Sequence, residues 1–318
     1  VAETLRAYDV LTGELLGVAD LGGSDLLDLA REGDFLYTLD SSRVLRVVDV
    51  FGAVMIARGE VTLPNNVGKM FVGNGLAYVT VPTDIGGFML VDVSDPDTPV
   101  VISNTQAPVE SAPGTDVAIH GSGLALLVGQ AFRQADDPPL AQIVDVPLVP
   151  GDPQVFRELP RIDLPAAPRA LAIGAGIAFV AGGSAGFHVI NYQAFDADGI
   201  APSLSVETAQ VDLDPVVAGI QVQEGTTIAI PVTVLDDVQI RNVELLVDGT
   251  VVRNDVSFPF DLSVVVPNLA DGGATLTVEI RATDTGGNTT STTFDLDVVE
   301  DTFAPEVFQV LPGDGAVR

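Results

Sequence analysis

Gly75-Leu76-Ala77-Tyr78-Val79, followed by Met89-Leu90-Val91-Asp92-Val93, is the stretch of this sequence that decides its fold. Both runs are short and apolar, and a glycine turn precedes each of them, which is typical of buried strands joined by tight hairpins. The second run ends in Val91-Asp92-Val93, which we call the Asp phrase. It recurs along the first two-thirds of the chain as Tyr8-Asp9-Val10, Val48-Asp49-Val50, Val144-Asp145-Val146 and, in degenerate form, Ile190-Asn191-Tyr192.

The copies of the Asp phrase follow one another at intervals of roughly 40 to 50 residues, a period typical of stacked repeat units. The glycine phrase recurs with them, at Gly121-Ser122-Gly123-Leu124 and at Gly174-Ala175-Gly176-Ile177. One short strand precedes each glycine turn and another follows each Asp phrase. Four strands per unit at this period predict the blades of a β-propeller. We interpret the Asp as a turn former that ends the third strand.

Residues Gly75–Val79 and Gly87–Pro99 resemble the LVIVD repeat, a propeller-type repeat of bacterial and archaeal surface proteins. The likeness is close for this unit and partial for the others, because Val144-Asp145-Val146 runs into a longer turn and Asn191 replaces the Asp. The resemblance covers residues 1–197. It implies a propeller and a surface location.

The repeat units do not add up to a complete ring. Four units can be delimited, at residues 23–62, 63–107, 108–162 and 163–197, whereas residues 1–22 supply only the last two strands of another. A propeller normally closes with about four to eight full blades. We therefore expect a ring that is incomplete or is closed by chain before Val1, and we interpret both ends of the sequence as cut from a longer protein.

Beyond residue 197 the strands become longer and alternate between apolar and polar residues, as in Thr227–Val234. Several such strands separated by turns every 8 to 12 residues or so predict a β-sandwich. Three phrases, Val243–Gly249, Pro259-Phe260 and Arg281–Asn288, resemble the bacterial Ig-like domains of surface adhesins.

The sequence thus predicts an all-β protein, with four-stranded propeller-type blades followed by an Ig-like β-sandwich. The expected domains are a β-propeller-type repeat domain at residues 1–197 and an Ig-like domain at 198–300. Residues 301–318 are expected to begin a further Ig-like domain or to form a linker, since Asp301-Thr302-Phe303-Ala304-Pro305 repeats the Asp198-Gly199-Ile200-Ala201-Pro202 junction.

The composition excludes several classes of function. With 44 acidic and 14 basic residues the net charge is −30, which repels nucleic acid and anionic membrane surfaces. No apolar run approaches the roughly 20 residues that a membrane-spanning helix needs, so membrane insertion is not expected. The chain has no cysteine, which excludes disulfides and thiolate chemistry. The excess of acidic residues favours a marine, halophilic or extracellular setting. The alternative is that these residues only keep the protein surface soluble.

One motif and one further histidine could suggest catalysis. Gly182-Gly183-Ser184-Ala185-Gly186 fits the G-x-S-x-G pattern of hydrolases and has His188 nearby, but that chemistry needs a strand-turn-helix. We interpret it as a hairpin turn between two blade strands. The other histidine, His120, ends a predicted strand, and we expect it to be a packed or solvated strand residue.

Calcium is the one cofactor that the sequence suggests. Asp236, Asp237, Asp284, Asn288 and Asp301 could supply the six to eight hard oxygens that Ca²⁺ prefers if their loops converge. The likeness to Ig-like tandems implies a calcium ion at such junctions. Solvated turn aspartates are the alternative, because Asp and Asn favour these turns on backbone grounds alone.

These features support three functional hypotheses. The first is a non-enzymatic structural or adhesive segment of a large secreted or cell-surface protein, with the Ig-like domain as spacer and a protein or glycan partner at the surface or within an extracellular assembly. The second is a propeller that binds a glycan or protein ligand. The third is a calcium-dependent propeller hydrolase or lyase, which is disfavoured because no convergent His, Tyr, Arg and carboxylate set recurs at the blade ends.

Overall fold

A computed structural model describes residues 4–22, 24–51, 54–82, 86–103, 113–130, 138–151, 158–192, 196 and 198–302. The protein is all-β, as predicted, with a series of small antiparallel sheets followed by an Ig-like domain. Within the described residues no helix is both long and apolar enough to cross a membrane. The expected start of a further domain lies mostly at residues 303–318, outside the described residues.

The first part of the chain forms a half-blade and four blades. The half-blade is the hairpin of β1 (Thr4–Tyr8) and β2 (Leu15–Asp20). Blade 1 contains β3 (Leu26–Glu32), β4 (Phe35–Asp40), β5 (Val44–Phe51) and β6 (Val54–Thr62). Blade 2 contains β7 (Met70–Gly73), β8 (Leu76–Thr80), β9 (Phe88–Asp92) and β10 (Val100–Ser103).

Blades 3 and 4 continue the series. Blade 3 contains β11 (Asp116–His120), β12 (Leu124–Gly129), β13 (Leu140–Asp145) and β14 (Glu158–Asp163). Blade 4 contains β15 (Ala170–Gly174), β16 (Ile177–Ala181) and β17 (Phe187–Ile190). Within the part of the chain that the structure describes, blade 4 therefore has three strands instead of the predicted four.

The Asp phrase and the glycine turn are joined by a hydrogen bond in blades 2 and 3. The backbone N–H of Val93 donates to the carbonyl of Gly75 at 2.9 Å, and Val146 makes the same bond to Gly123 at 2.7 Å. The Asp92 carboxylate accepts a 3.0 Å bond from the N–H of Ser94, which closes the turn after β9. The predicted role of this Asp as a turn former is confirmed.

Each blade packs one face of its sheet against the next blade. Tyr37 of blade 1 lies in one buried cluster with Ala77 and Val79 of blade 2. The residue at the same repeat position faces the next blade each time. Tyr78 packs in a cluster with Ala125 and Leu127 of blade 3, and Leu126 packs with Ala178 and Val180 of blade 4. The repeat thus places a large side chain against small or branched ones at each blade interface.

The Ig-like domain is a sandwich of nine short strands. They are β18 (Ser203–Val206), β19 (Gln221–Gln223), β20 (Thr227–Ile230), β21 (Val232–Leu235), β22 (Ile240–Val247), β23 (Thr250–Asp255), β24 (Leu262–Val265), β25 (Thr275–Asp284) and β26 (Thr289–Val299). One sheet has the order β19-β26-β25-β22-β23, and the opposing layer contains the pairs β18-β21 and β20-β24. A one-turn helix, α1 (Leu269–Gly272), follows β24.

The blades and the Ig-like domain share one hydrophobic core. Its largest cluster joins Tyr78 and Leu127 of the blades to Phe258, Val243 and Ile280 of the sandwich. All five side chains are at most 5% exposed. The two parts of the chain are therefore packed against each other.

Candidate functional site

Two of the predicted calcium ligands meet in the hairpin between β25 and β26. Asp284 is fully buried, and its two carboxylate oxygens accept bonds from the backbone and side-chain nitrogens of Asn288, at 2.8 and 2.9 Å. The same Asn288 amide donates to Asp196 at 2.7 Å. Sequence analysis missed Asp196, although it lies two residues before the Asp198-Gly199 turn that it helps to form.

Asp236 approaches this hairpin from the loop between β21 and β22. Its Oδ2 accepts a 3.2 Å bond from the N–H of Val238, whereas its Oδ1 is buried and has no hydrogen-bond partner among the described residues. Partial burial, followed by the charges of Asp284 and Asp237, raises the pKa of Asp236 to about 6. Asp237 itself is exposed.

Asp301 lies at the opposite end of the sandwich. Strand β26 runs for 11 residues from the Asn288 turn, a length of about 35 Å, before the chain reaches Asp301. There the backbone N–H of Asp301 donates to Glu224 at 3.1 Å. The structure therefore brings Asp236, Asp284 and Asn288 together but keeps Asp301 apart.

The oxygens present do not by themselves make a calcium site. Ca²⁺ takes six to eight oxygen ligands, and both carboxylate oxygens of Asp284 already accept bonds from Asn288. Within the described ranges, no group of three or more His, Cys, Asp or Glu residues is arranged to hold a metal ion. Asp236 Oδ1 is the one atom of the predicted set that is buried and without a partner.

Neither histidine lies in a catalytic arrangement among the described residues. Gly183–Ala185 forms a single 3₁₀ turn between β16 and β17, as the hairpin interpretation of Ser184 predicted. His120 is only 3% exposed, and burial lowers its pKa to about 4, so its imidazole is neutral at pH 7. Its ring packs at 5.9 Å from that of Tyr192. The prediction of a packed strand residue is confirmed for His120.

Aspartates in the first strands of blades 1 and 3 bind the next blade, a feature that sequence analysis missed. The Asp28 carboxylate accepts bonds from the N–H of Met70 at 2.7 Å and from the ammonium of Lys69 at 3.0 Å. Asp116 accepts a 2.8 Å bond from the N–H of Leu171 in the next blade, and burial raises its pKa. The signal available was that Lys69 is the only lysine of the sequence.

A cleft of about 690 Å³ lies between the blade turns and the sandwich. Glu32 and Asp261 line it, and burial raises the pKa of both carboxyl groups. Glu32 accepts a 3.1 Å bond from the N–H of Gly75, and the guanidinium groups of Arg31 and Arg253 lower the energy of the Asp261 charge. The cleft therefore offers charged groups of both signs beside apolar Phe260.

Residues 216–278 match the family described as the bacterial Ig domain. The matched residues lie within the sandwich, from the segment before β19 into β25. A bacterial Ig domain fits a structural or surface protein. No curated protein matches the chain.

Three solved structures resemble the chain distantly. The β-propeller domain of Cps50 (Swd1) from Myceliophteria thermophila is 12% identical with a TM-score of 0.44, covering 94% of this chain and 84% of that chain. A protein of unknown function from Desulfotomaculum acetoxidans is 12% identical with a TM-score of 0.42, covering 90% of each chain. PorZ, a surface component of the type-IX secretion system of Porphyromonas gingivalis, is 12% identical with a TM-score of 0.38, covering 90% of this chain and 48% of PorZ.

Proposed function

We propose that this chain is a non-enzymatic structural or adhesive segment of a large secreted or cell-surface bacterial protein. The observation that carries the proposal is the bacterial Ig domain at residues 216–278, packed into one core with propeller-type blades. The resemblance of residues 75–99 to the LVIVD repeat of surface proteins supports the same role. The high negative charge suits a protein that stays dispersed outside the cell.

The free side of the blades is the proposed face for a protein or glycan partner. The Ig-like domain occupies the side that carries the turns between the first and second strands, such as Gly121-Ser122. The loops between the second and third strands, such as Ser41–Arg43 and Gly182–Gly186, point to the opposite side because strands alternate in direction. Loops on a rigid sheet scaffold commonly carry binding residues.

A ligand-binding propeller is the second candidate, favoured by the 690 Å³ cleft beside Arg31 and Arg253. Arg31 and Arg253, beside the carboxyl groups of Glu32 and Asp261, offer hydrogen-bond donors next to acceptors for the polar groups of a glycan or peptide. Exchanging both for glutamine would remove that binding and leave a partner on the opposite face unaffected. Binding measured with both forms of the chain separates the two candidates.

The surface role is tested on intact bacterial cells that carry the parent protein. Brief external protease treatment, followed by detection with an antibody raised against residues 198–302, should remove the signal while a cytoplasmic marker stays intact. Retention of the full signal in intact cells, with loss only after lysis, would overturn the proposal. Binding of the purified chain to protease-treated or glycosidase-treated cells then identifies the class of partner.

Calcium is proposed as an additional ligand of the Ig-like domain, bound beside Asp236 and Asp284 and away from Asp301. What supports this proposal is the unpartnered, buried Oδ1 of Asp236 next to a second carboxylate. A divalent cation there would offset the repulsion between these two groups.

A further inference from the structure

The turns between the first and second strands of all four blades contact the Ig-like domain. In blades 2 to 4 these turns begin with a glycine, Gly73, Gly121 and Gly174, whereas in blade 1 Glu32 holds this position and Gly33 follows it. Most of the contacts come from a single six-residue segment between β23 and β24, Val256–Asp261, which we name the clamp loop. The sequence repeat of the glycine turns therefore coincides with a repeated contact to one loop.

The two ends of the clamp loop bind blade 1 and blade 4 through hydrogen bonds. In blade 1, the backbone N–H of Gly33 donates to the Asp261 carboxylate at 3.3 Å. In blade 4, the backbone N–H of Ala175 donates to the carbonyl of Val256 at 2.8 Å. Five residue steps separate these two partners, which limits their distance to about 18 Å. The turns of blades 1 and 4 therefore converge on one short loop.

The middle of the clamp loop binds blades 2 and 3 through aromatic packing. Phe258 stacks on Phe71 of blade 2, with ring centroids 6.0 Å apart and planes inclined by 15°. A Cβ atom at Gly73 would overlap the Phe258 ring. In blade 3, the ring of Phe260 lies 3.3 Å from the Cβ position of Gly121. Both rings are at most 9% exposed, and they contact each other edge to face.

A second contact adds to the attachment of blade 3. The hydroxyl of Ser122 donates to the carbonyl of Val238, in the loop that precedes β22. The Cβ position of Gly121 also lies 3.2 Å from the carbonyl of Val234. A methyl group at Gly121 would therefore require blade 3 and the sandwich to shift by a few tenths of an ångström.

We propose that the Ig-like domain acts as a clamp that holds the four blades together, through the clamp loop Val256–Asp261. A closed propeller holds its blades by completing the ring, so that every blade has two neighbours. Blade 4 has an uncovered outer face, with Phe187 65% and Val189 60% exposed. The clamp loop ties blade 4 to blade 1 through its own backbone. This role does not depend on where the protein is located in the cell.

The proposal is tested by hydrogen–deuterium exchange on the full chain, comparing Gly73→Ala with Gly174→Ala. These glycines occupy the same repeat position, but a Cβ at Gly174 meets only ordinary contacts, 3.5 Å from the Val256 carbonyl and 3.8 Å from its side chain. We expect Gly73→Ala to speed exchange of the Gly33 and Ala175 amides about tenfold, because displacing Phe258 opens the whole loop. Gly174→Ala should change them far less.

The Phe258→Ala variant provides a second comparison in the same hydrogen-exchange experiment. Removing the ring should also expose the Gly33 and Ala175 amides, and adding Gly73→Ala to it should have no further effect, because the clashing group is gone. Faster exchange confined to the blade 2 turn would overturn the proposal, as would equal effects of the two glycine variants. If Phe258→Ala does not fold, the comparison of the two glycine variants still decides between these results.

Discussion

Blades 3 and 4 follow the same sequence pattern but differ in what covers them. Leu126 and Phe179 occupy the same position, three residues after the last glycine of their turns. Leu126 is fully buried in a cluster with Ala178 and Val180 of blade 4. Phe179 is only partly buried and stacks on the exposed ring of Phe187. The repeat pattern specifies the side chain, and the neighbouring blade decides whether that side chain is buried.

This difference in burial indicates that the two blades contribute differently to the free energy of unfolding. A large side chain between two blades loses its water and gains close contacts on every side. The same side chain on the outer face of blade 4 keeps much of its exposure, as Ile177 does at 36%. Blade 3 should therefore contribute more to the free energy of unfolding than blade 4, residue for residue.

The largest expected effect is that of Leu126→Ala. Removing a fully buried leucine leaves a cavity and should lower the free energy of unfolding by about 2 to 5 kcal/mol. Phe179→Ala at the matched position should lower it by less, about 1 to 2 kcal/mol, although it removes a larger side chain, because the ring is only partly buried. Urea unfolding of both variants and the parent chain gives these values. If both variants lost the same free energy of unfolding, the outer face of blade 4 would have to be covered, and the difference drawn between blades 3 and 4 would be wrong.

The histidines of the two blades, His120 in blade 3 and His188 in blade 4, extend the comparison to the pH dependence of stability. Burial lowers the pKa of His120 from 6.5 to about 4, so the unfolded chain binds a proton between these values while the folded chain does not. Stability should therefore be complete above pH 6.5 and fall by about 3 kcal/mol as the pH drops to 4. Other titratable groups also contribute to the change of the free energy of unfolding with pH.

His120→Asn should remove this part of the pH dependence, because the amide can still accept the 3.2 Å bond from the N–H of Ser122 but cannot bind a proton. His188→Asn in blade 4 is the matched control. The measurement is the free energy of unfolding in urea at pH 4, 5, 6 and 7. A His120→Asn variant with the same pH slope as the parent would contradict the burial of a neutral imidazole.

A smaller effect is expected at Asp236, the partly covered carboxylate of the Ig-like domain. Its raised pKa, about 6, means that its charge destabilises the fold as the pH rises through 6. In the absence of calcium, Asp236→Asn should stabilise the protein by about 1 kcal/mol at pH 7.5, after allowance for solvent screening, and not at pH 3. Thermal unfolding with a chelator at both pH values measures this, with Asp237→Asn as control.

The same variant tests the calcium proposal. Millimolar calcium should raise the melting temperature of the parent chain and leave Asp236→Asn unchanged, since the variant lacks the carboxylate that would hold the ion. A parent chain whose melting temperature is the same in calcium and in chelator would remove the proposal. Asp236 would then be a turn residue, the alternative that the sequence left open.

Local features were predictable because neighbouring residues decide them. The glycine turns and the turn after Asp92 depend on positive φ angles and short side-chain bonds, such as Gly75 at φ 73° and Asp92 to Ser94. The sandwich strands follow from alternation alone. Each of these signals lies within about ten residues of sequence.

The contacts between distant parts of the chain were not predictable in this way. Pro259-Phe260 was recognised as an Ig-like phrase, but nothing in it shows that Phe258 packs against Gly73, nearly two hundred residues earlier. The separation of Asp301 from Asp284 follows from the length of β26 and the antiparallel order of the sheet. Side chains that meet across domains depend on how the domains pack, which no local pattern encodes.

The most direct test of the account is a calorimetric scan of the full chain, combined with hydrogen exchange assigned to blade 3 and to the Ig-like domain. Because Leu127 and Val243 belong to one core, we predict that blade 3 and the sandwich unfold together in a single transition. Exchange of their slowest amides should then report the same opening free energy. Unfolding of the Ig-like domain in a separate transition, with the blade amides still protected, would contradict the claim that the two parts form one body.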